Sequence, residues 1–182
     1  YRFATAIDAL PESILAQADT EGLDLSYDPA QTHRVAIQFA GGQVPANPDY
    51  DFIPATGATE NIFRREIANT ASCNSCHDQL ALHGGGRVEI NYCVTCHNPG
   101  STDANSGNTV DMKVMIHKIH MGAGLPSVQA GDEYAIYGFR DSKHDYSGLR
   151  YPQDIRLCVN CHAGTATGDA RAEVFLSSQG DN

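Results

Sequence analysis

The stretch CNSCH at residues 73–77 is the most informative part of this sequence, because the same spacing recurs as CVTCH at 93–97 and as CVNCH at 158–162. These copies use all six cysteines of the chain. In a Cys-x-x-Cys-His pattern the two thiols attach one c-type haem as thioethers, and the imidazole reaches the iron from one face. On a helix, the two thiols would lie one turn apart, with the histidine on the face of the first cysteine. We therefore predict three c-type haems attached at Cys73, Cys76, Cys93, Cys96, Cys158 and Cys161, with His77, His97 and His162 as iron ligands.

Two other roles exist for such cysteines. Paired Cys-x-x-Cys motifs bind structural zinc, but three pairs are an awkward number for zinc sites, and zinc gives no reason for a histidine after every second cysteine. Disulfides suit an even number of cysteines in an exported protein, yet they also leave the histidines unexplained. The adjacent histidine in all three copies favours haem.

Composition narrows the possible partners and compartments. The 182 residues carry a formal net charge of −10, which argues against binding to nucleic acid or to an anionic membrane surface. No apolar run is long enough for a transmembrane segment. Because the chain begins at Tyr1 and not at a methionine, we expect a mature product or an excised piece whose signal peptide has been removed. Because c-type haem is attached outside the bacterial inner membrane, we expect an exported protein, at the cell surface or in the periplasm. We also expect that residues 71–182 fold only with haem, since the chain has few large aliphatic side chains.

The first 70 residues carry weaker signals. Residues 34–39 alternate apolar and polar side chains before a Gly-Gly pair, which predicts a strand. Tyr1–Phe3 could add another strand, and residues 11–17 a short helix. The prolines that follow predict an extended linker, and a helix capped by Asn61 is expected through residue 67. We therefore assign residues 1–70 to a partial β domain and linker.

The rest of the chain contains one strong helix signal. Apolar positions spaced for one helix face run from Asp111 to Met121, with Thr109 or Asp111 as N-cap and Gly122 as the end. Residues 98–108 and 122–157 are predicted to be mostly loop. Residues 71–182 are assigned to a three-haem cytochrome c domain of short helices and loops packed around the haems, so that the small β portion lies at the N-terminus.

Three of the eight histidines belong to the motifs, which leaves five for the sixth coordination positions of three irons. His117 and His120 point roughly 60° apart on the predicted helix, so they should ligate two different irons. His83 precedes three glycines, where the backbone can approach a ring closely. His144 is a reserve ligand, and His33 is expected to be structural. The predicted distal ligands are therefore His83, His117 and His120.

This supply of histidines favours an electron carrier over an enzyme. A catalytic haem keeps one axial position open for its substrate, whereas a bis-histidine haem does not. The alternative is a multihaem reductase with one open-site haem that acts on a small oxyanion, peroxide or nitrogen compound. The sequence does not decide whether the protein is an enzyme, but it favours an electron carrier over a substrate-specific enzyme.

From Ala71 onward, the order of the motifs resembles the outer-membrane decahaem cytochromes of the OmcA/MtrC family. The resemblance rests on CxxCH, HGG, CxxCHN, then KVMIHKIHMG at residues 113–122, and YPQDIR before the third CxxCH. It also includes residues 32–38, which look like the last strand of the β domain that precedes a haem domain there. A haem domain of that family carries five motifs and this chain three, so we expect either an excised piece or a shorter relative.

The resemblance implies extracellular electron transfer with bis-histidine ligation, in which His83, His117 and His120 match the distal positions. It implies acceptors such as metal oxides, soluble metals or flavins, and terminal metal reductase activity in the family. The expected partners are redox proteins, other multihaem cytochromes or copies of the chain itself.

Overall fold

The computed structural model describes residues 6, 9–22, 24–39, 41–64 and 66–162. The chain divides into two compact units, each built from separate stretches of sequence. Unit 1 comprises Tyr1–Arg34 and Asp51–Phe63, and unit 2 comprises Val35–Tyr50 and Arg64–Asn182. Among the described helices, none combines the length and apolar character needed to cross a membrane.

Unit 1 contains helix α1, Glu12–Glu21. The helix begins after Pro11 and ends at Gly22, whose φ of 68° places it in the left-handed conformation that glycine adopts without strain. The Gly22 amide donates to the carbonyls of Ala18 and Asp19. The predicted short helix at 11–17 therefore exists and is longer than expected. Tyr1–Phe3, the other predicted strand, lies outside the described residues.

Strands β1, His33–Ala36, and β2, Asp49–Phe52, form a two-stranded sheet, and the division between the units falls inside both strands. The predicted strand at 34–39 is present but shorter, with Phe39 continuing as an isolated bridge to Ala46. The assignment of the proline-rich segment to a linker was wrong, because it contains β2. Proline lacks a donor but keeps its acceptor, and the Pro48 carbonyl accepts from the Ile37 amide at 3.0 Å.

The helices of unit 2 are α2, Thr70–His77; α3, Ile90–Cys93; α4, Met112–Met121; and α5, Pro126–Gln129. Helix α4 has the predicted boundaries, with the Asp111 side chain accepting from the Lys113 amide and Gly122 at the end. The prediction of a helix that begins at Asn61 was wrong. Asn61 has a φ of 53°, whereas the extended Asn69 caps α2 by accepting from the Ser72 amide.

A hairpin occupies part of the segment predicted to be loop. Strands β3, Ala135–Tyr137, and β4, Lys143–Asp145, pair antiparallel with Ile136 opposite His144. The strands are short, and their turn uses Arg140 and Asp141 at φ of 56° instead of the glycine or asparagine that usually marks such a turn. The β structure is therefore not limited to the N-terminal part of the chain.

The described residues of unit 2 form a small apolar interior. Their buried apolar side chains are Val88, Ile90, Leu125, Tyr134 and Ala135. No large side chain among the described residues is less than 2% exposed, while apolar side chains close to the motifs remain exposed: Leu82, Val94, Leu157 and Val159. The protein atoms alone bury little apolar surface around the motifs, so a flat apolar group bound there would add substantially to the core.

Candidate haem-binding histidine pairs

The three motifs fold into the same local turn on different elements. The first occupies the end of α2, and the second starts at the last residue of α3. The third begins with the 3₁₀ helix Cys158–Asn160. In the second and third motifs the histidine amide donates to the carbonyl of the first cysteine, at 2.9 Å in each case. One helical turn therefore places both sulfurs and the imidazole of a motif close together.

Each motif histidine faces one histidine from outside the motifs. The centroid distances are 6.0 Å between the His77 and His120 rings, 5.9 Å between His83 and His97, and 6.0 Å between His117 and His162. The two histidines of α4 thus lie against two different motif histidines. All six residues named as candidate iron ligands are paired in this way.

The spacing of these rings fits a metal ion between them. A metal–imidazole bond is about 2 Å long and the ring centre lies roughly 1 Å beyond the nitrogen, so two imidazoles on one ion have centroids roughly 6 Å apart. Ordinary ring contacts span roughly 4.5–7 Å, so the informative feature is that each of the three motif histidines faces one histidine from outside the motifs. The donor set therefore fits three irons with an imidazole on each side, and ligation itself stays a prediction.

Backbone carbonyls orient four of the six rings. The Nδ1 atoms of His97, His117, His120 and His162 lie within hydrogen-bonding distance of the carbonyls of Val110, Lys113, Ile116 and Ile67, respectively. A carbonyl can only accept, so each Nδ1 carries the proton. The Nε2 atom is left with a free lone pair, which is the arrangement that outer-shell partners enforce on metal-binding histidines.

A tight turn presents His83. Leu82 and Arg87 pair across the turn, and His83 itself has a φ of 50°. The buried Asn47 side chain holds the turn by donating to the Gly86 carbonyl at 3.0 Å and accepting from the Val88 amide at 2.7 Å.

The charge environment of His83 also suits metal binding. Partial burial, together with the charges of Arg87 and His97, lowers the pKa of His83. A lower pKa favours the neutral imidazole, which is the form that binds a metal.

The six cysteines are all unpaired. Burial raises the pKa of the Cys73, Cys93 and Cys161 thiols. Within the described ranges, no three or more histidine, cysteine, aspartate or glutamate side chains converge as metal ligands. A structural zinc site uses four. The geometry thus favours two imidazoles per metal over a zinc cluster.

The remaining histidines lie in other surroundings. His144 is exposed on β4, with its Nε2 atom 3.2 Å from the Ser142 hydroxyl. His33 packs against the rings of Tyr27 and Phe52, and its Nε2 atom lies 2.9 Å from the Asp28 carbonyl. Among the described residues, the ring contacts of the motif histidines involve neither His33 nor His144.

Two residues that support the histidine pairs, Asn47 and Tyr151, were not predicted from the sequence. Asn47 lies in a segment taken for linker, and only its later contacts with residues 86 and 88 reveal its role. Tyr151 belongs to the YPQDIR stretch and places its ring 5.6 Å from that of His120. No local pattern marks either residue, because both act on segments distant in the chain.

Comparison with known proteins gives consistent matches. The model of the family described as outer membrane cytochrome MtrC/MtrF-like, domains II/IV, matches residues 65–180. The chain is 30% identical to the multiheme cytochrome MtrC of Shewanella baltica (strain OS185) over 172 residues, which are 90% of this chain and 25% of that protein. It is similar to the crystal structure of the outer membrane decaheme cytochrome OmcA, with a TM-score of 0.75 and 33% identity over 87% of this chain and 24% of that one. The chain spans about a quarter of the length of these relatives.

Proposed function

The chain belongs to the family of MtrC/MtrF-like outer membrane cytochromes, domains II/IV, and from this premise we propose that it conducts electrons through three covalently attached c-type haems. Family membership supports an exported multihaem cytochrome at the cell surface, and we propose that it takes part in extracellular electron transport. The number of haems, their ligands and their acceptor are the content of the proposal.

The pairing of the histidines supports a ligand set for each haem. The first would be held by Cys73 and Cys76, between His77 and His120. The second would be held by Cys93 and Cys96, between His97 and His83, and the third by Cys158 and Cys161, between His162 and His117. The single observation that carries this assignment is that each motif histidine faces one non-motif histidine, at a ring spacing of about 6 Å that leaves room for a metal ion.

The residues of this chain would attach, orient and tune the cofactors. Haem iron supplies reversible one-electron chemistry when it is bound. The cysteines would fix each group covalently, so that it cannot leave during repeated cycles. In His97, His117, His120 and His162, the Nδ1–carbonyl contacts keep the Nε2 atom directed to its site, and they raise the basicity of the ligand. With an imidazole on both sides, no coordination position would be open to a small substrate.

Helix α4 gives the proposed path its continuity. His117 and His120 lie on one side of this helix, separated by less than one turn, and they face the third and the first motif. The first and third sites are therefore neighbours. We propose that electrons pass between them and on to the second site, with other multihaem cytochromes, or copies of this chain, as electron donors and acceptors.

The final acceptors we propose are metal oxides, soluble metals or flavins. Such acceptors lie outside the cell, where members of this family reside. The net charge of −10 suits cationic metals and mineral surfaces better than polyanions. Reduction would require only an exposed redox group at the surface, so no substrate pocket is part of the proposal.

A spectroscopic titration of the purified holoprotein tests the proposal. We expect a pyridine haemochrome assay to count three haems per chain. The oxidised and reduced spectra should be low-spin, and carbon monoxide should leave the reduced spectrum unchanged. A high-spin haem that binds carbon monoxide would contradict the bis-histidine assignment and support a reductase with an open site. A colourless protein with bound zinc would contradict the cofactor itself.

A further inference from the structure

Tyr151 contacts one of the proposed ligands at its edge. The Tyr151 and His120 rings have centroids 5.6 Å apart and planes at 84°, which is an edge-to-face arrangement. The side chains of Asn160 and Cys161 lie near that of Tyr151. Tyr151 therefore lies between the distal histidine of the first site and a cysteine of the third motif.

The three histidine pairs differ in the angle between their rings. The planes of His77 and His120 are 79° apart, close to perpendicular. The planes of His83 and His97 are 42° apart, and those of His117 and His162 are 28° apart. The pair that Tyr151 contacts is thus the one farthest from parallel.

Two contacts restrain the His120 ring. The Ile116 carbonyl accepts from Nδ1 at 2.8 Å, and the Tyr151 ring packs against His120. His97, His117 and His162 have the carbonyl contact, but in the described part of the chain their ring contacts are with imidazoles alone. Rotation about a metal–imidazole bond is soft, so a packed ring at the edge is sufficient to set the plane of His120.

The angle between two axial imidazoles has electronic consequences at iron. Each ring interacts through its π system with one of two iron d orbitals. Parallel rings act on the same orbital and separate the two energies, whereas perpendicular rings act on one orbital each and keep the energies nearly equal. Nearly equal energies give a strongly anisotropic EPR signal. Ligand orientation is also one of the means by which a protein tunes reduction potential.

We propose that Tyr151 is a positioning residue that holds the His120 ring nearly perpendicular to His77 and so makes the first haem site electronically distinct from the other two. This inference rests on the proposed function, because it requires iron between the paired rings. Tyr151 itself would bind no haem. It would set the angle between the His77 and His120 rings, which the identity of the ligands alone does not determine. The site at His77 and His120 becomes the one whose EPR signal and potential stand apart.

Low-temperature EPR and potentiometric titration of the oxidised full-length holoprotein test this role. We expect three low-spin signals from the unsubstituted protein, one of them strongly anisotropic and absent in His120→Ala. In Tyr151→Leu that one signal should move toward a rhombic shape and its potential should shift, while the other two stay in place. Tyr151→Met, which fills a similar volume without a ring, should do the same.

Two control variants separate positioning from a general loss of packing. Tyr151→Phe keeps the ring edge and loses the hydroxyl, so it should retain the anisotropic signal. Tyr146→Leu removes an aromatic side chain that packs on Tyr134 and has no imidazole contact among the described residues, so all three signals should persist.

The outcomes distinguish this inference from the proposed function. If Tyr151→Leu and Tyr151→Met retain three low-spin haems with an unchanged anisotropic signal, the inference is wrong and the function stands. If Tyr151→Phe loses the signal as fully as Tyr151→Leu, the hydroxyl group and not the ring edge is responsible, which also overturns the inference. An unsubstituted protein without three low-spin haems would overturn both.

Discussion

Histidine serves different ends in the two units of this protein. In unit 1, His33 packs between Tyr27 and Phe52 and belongs to a structure held by the protein's own groups. In unit 2, six histidines stand in pairs near 6 Å, beside cysteines that make no disulfides. A histidine's role depends on what faces its ring. Contacts between protein groups stabilise unit 1, whereas in the function we propose the haems would complete the interior of unit 2.

Unit 1 contains the interactions of an ordinary small fold. The Arg34 guanidinium donates to both carboxylate oxygens of the buried Asp51, at 2.7 Å each. The Thr32 hydroxyl donates to the Phe63 carbonyl at 2.6 Å. A two-pronged ion pair of this kind fixes geometry as well as charge. If unit 1 depends on contacts between protein groups and unit 2 on haem, substitutions in the two units should have different effects.

Removing one pair of haem-attaching thiols should have the largest effect. In Cys73→Ala/Cys76→Ala we expect loss of one covalent haem and loss of protease resistance in residues 71–162, because the described part of unit 2 buries few apolar side chains of its own. Haem staining of the denatured protein and limited proteolysis measure these two effects. A variant with two haems that resists protease as well as the parent would show that the protein atoms suffice.

Removing a distal histidine should change one site and leave the fold in place. In His120→Ala we expect one haem to become high-spin and to bind carbon monoxide, since His77 would keep the only imidazole at that iron. The optical spectrum of the reduced protein with carbon monoxide measures this. His144→Ala is the matched control and should leave all haems low-spin, because His144 contacts the Ser142 hydroxyl. A carbon monoxide complex in His144→Ala instead would make His144 the ligand.

Breaking the buried ion pair should destabilise unit 1 by about 3 kcal/mol without altering the haem spectra. Asp51→Ala removes the buried carboxylate to which the Arg34 guanidinium, 20% exposed, donates two hydrogen bonds. Chemical denaturation monitored by proteolysis of unit 1 measures the loss. Arg34→Met/Asp51→Leu should recover part of it, since both charges of the pair are then removed together. Asp154→Ala removes the exposed partner of Arg156 and should have almost no effect. Equal losses in Asp51→Ala and Asp154→Ala would refute this account.

Removing the cap of α2 should give the smallest effect. Asn69→Ala deletes the side-chain acceptor of the Ser72 amide, at 2.8 Å, and should cost about 1 kcal/mol in the free energy of unfolding. Asn69→Asp keeps an acceptor there and should match the parent. The haem-bound protein should show less of this loss than an intermediate lacking the first haem, because attachment at Cys73 and Cys76 holds the same helix. A loss of several kcal/mol in both forms would mean that Asn69 does more than cap.

Local features were readable from the sequence alone. The boundaries of α4 followed from Asp111 and Gly122, because capping involves neighbours within one turn. The short turn of each motif likewise lies within five residues. Asn61 and Asn69 show where this reading fails. Both residue types can cap a helix, but only Asn69 does so here. The backbone of Asn69 is extended, whereas that of Asn61 is left-handed.

The sequence by itself determined the chemistry of this protein, since three Cys-x-x-Cys-His motifs and a surplus of histidines specify c-type haems and candidate ligands whatever surrounds them. Only the tertiary structure decided which histidine faces which motif, that Tyr151 lies against His120, and that Asn47 holds the His83 turn. The physical reason is the separation along the chain of the residues that interact. Attachment and capping depend on residues within one turn of each other, whereas ring pairing joins segments far apart in the chain, whose approach depends on the packing of the whole unit.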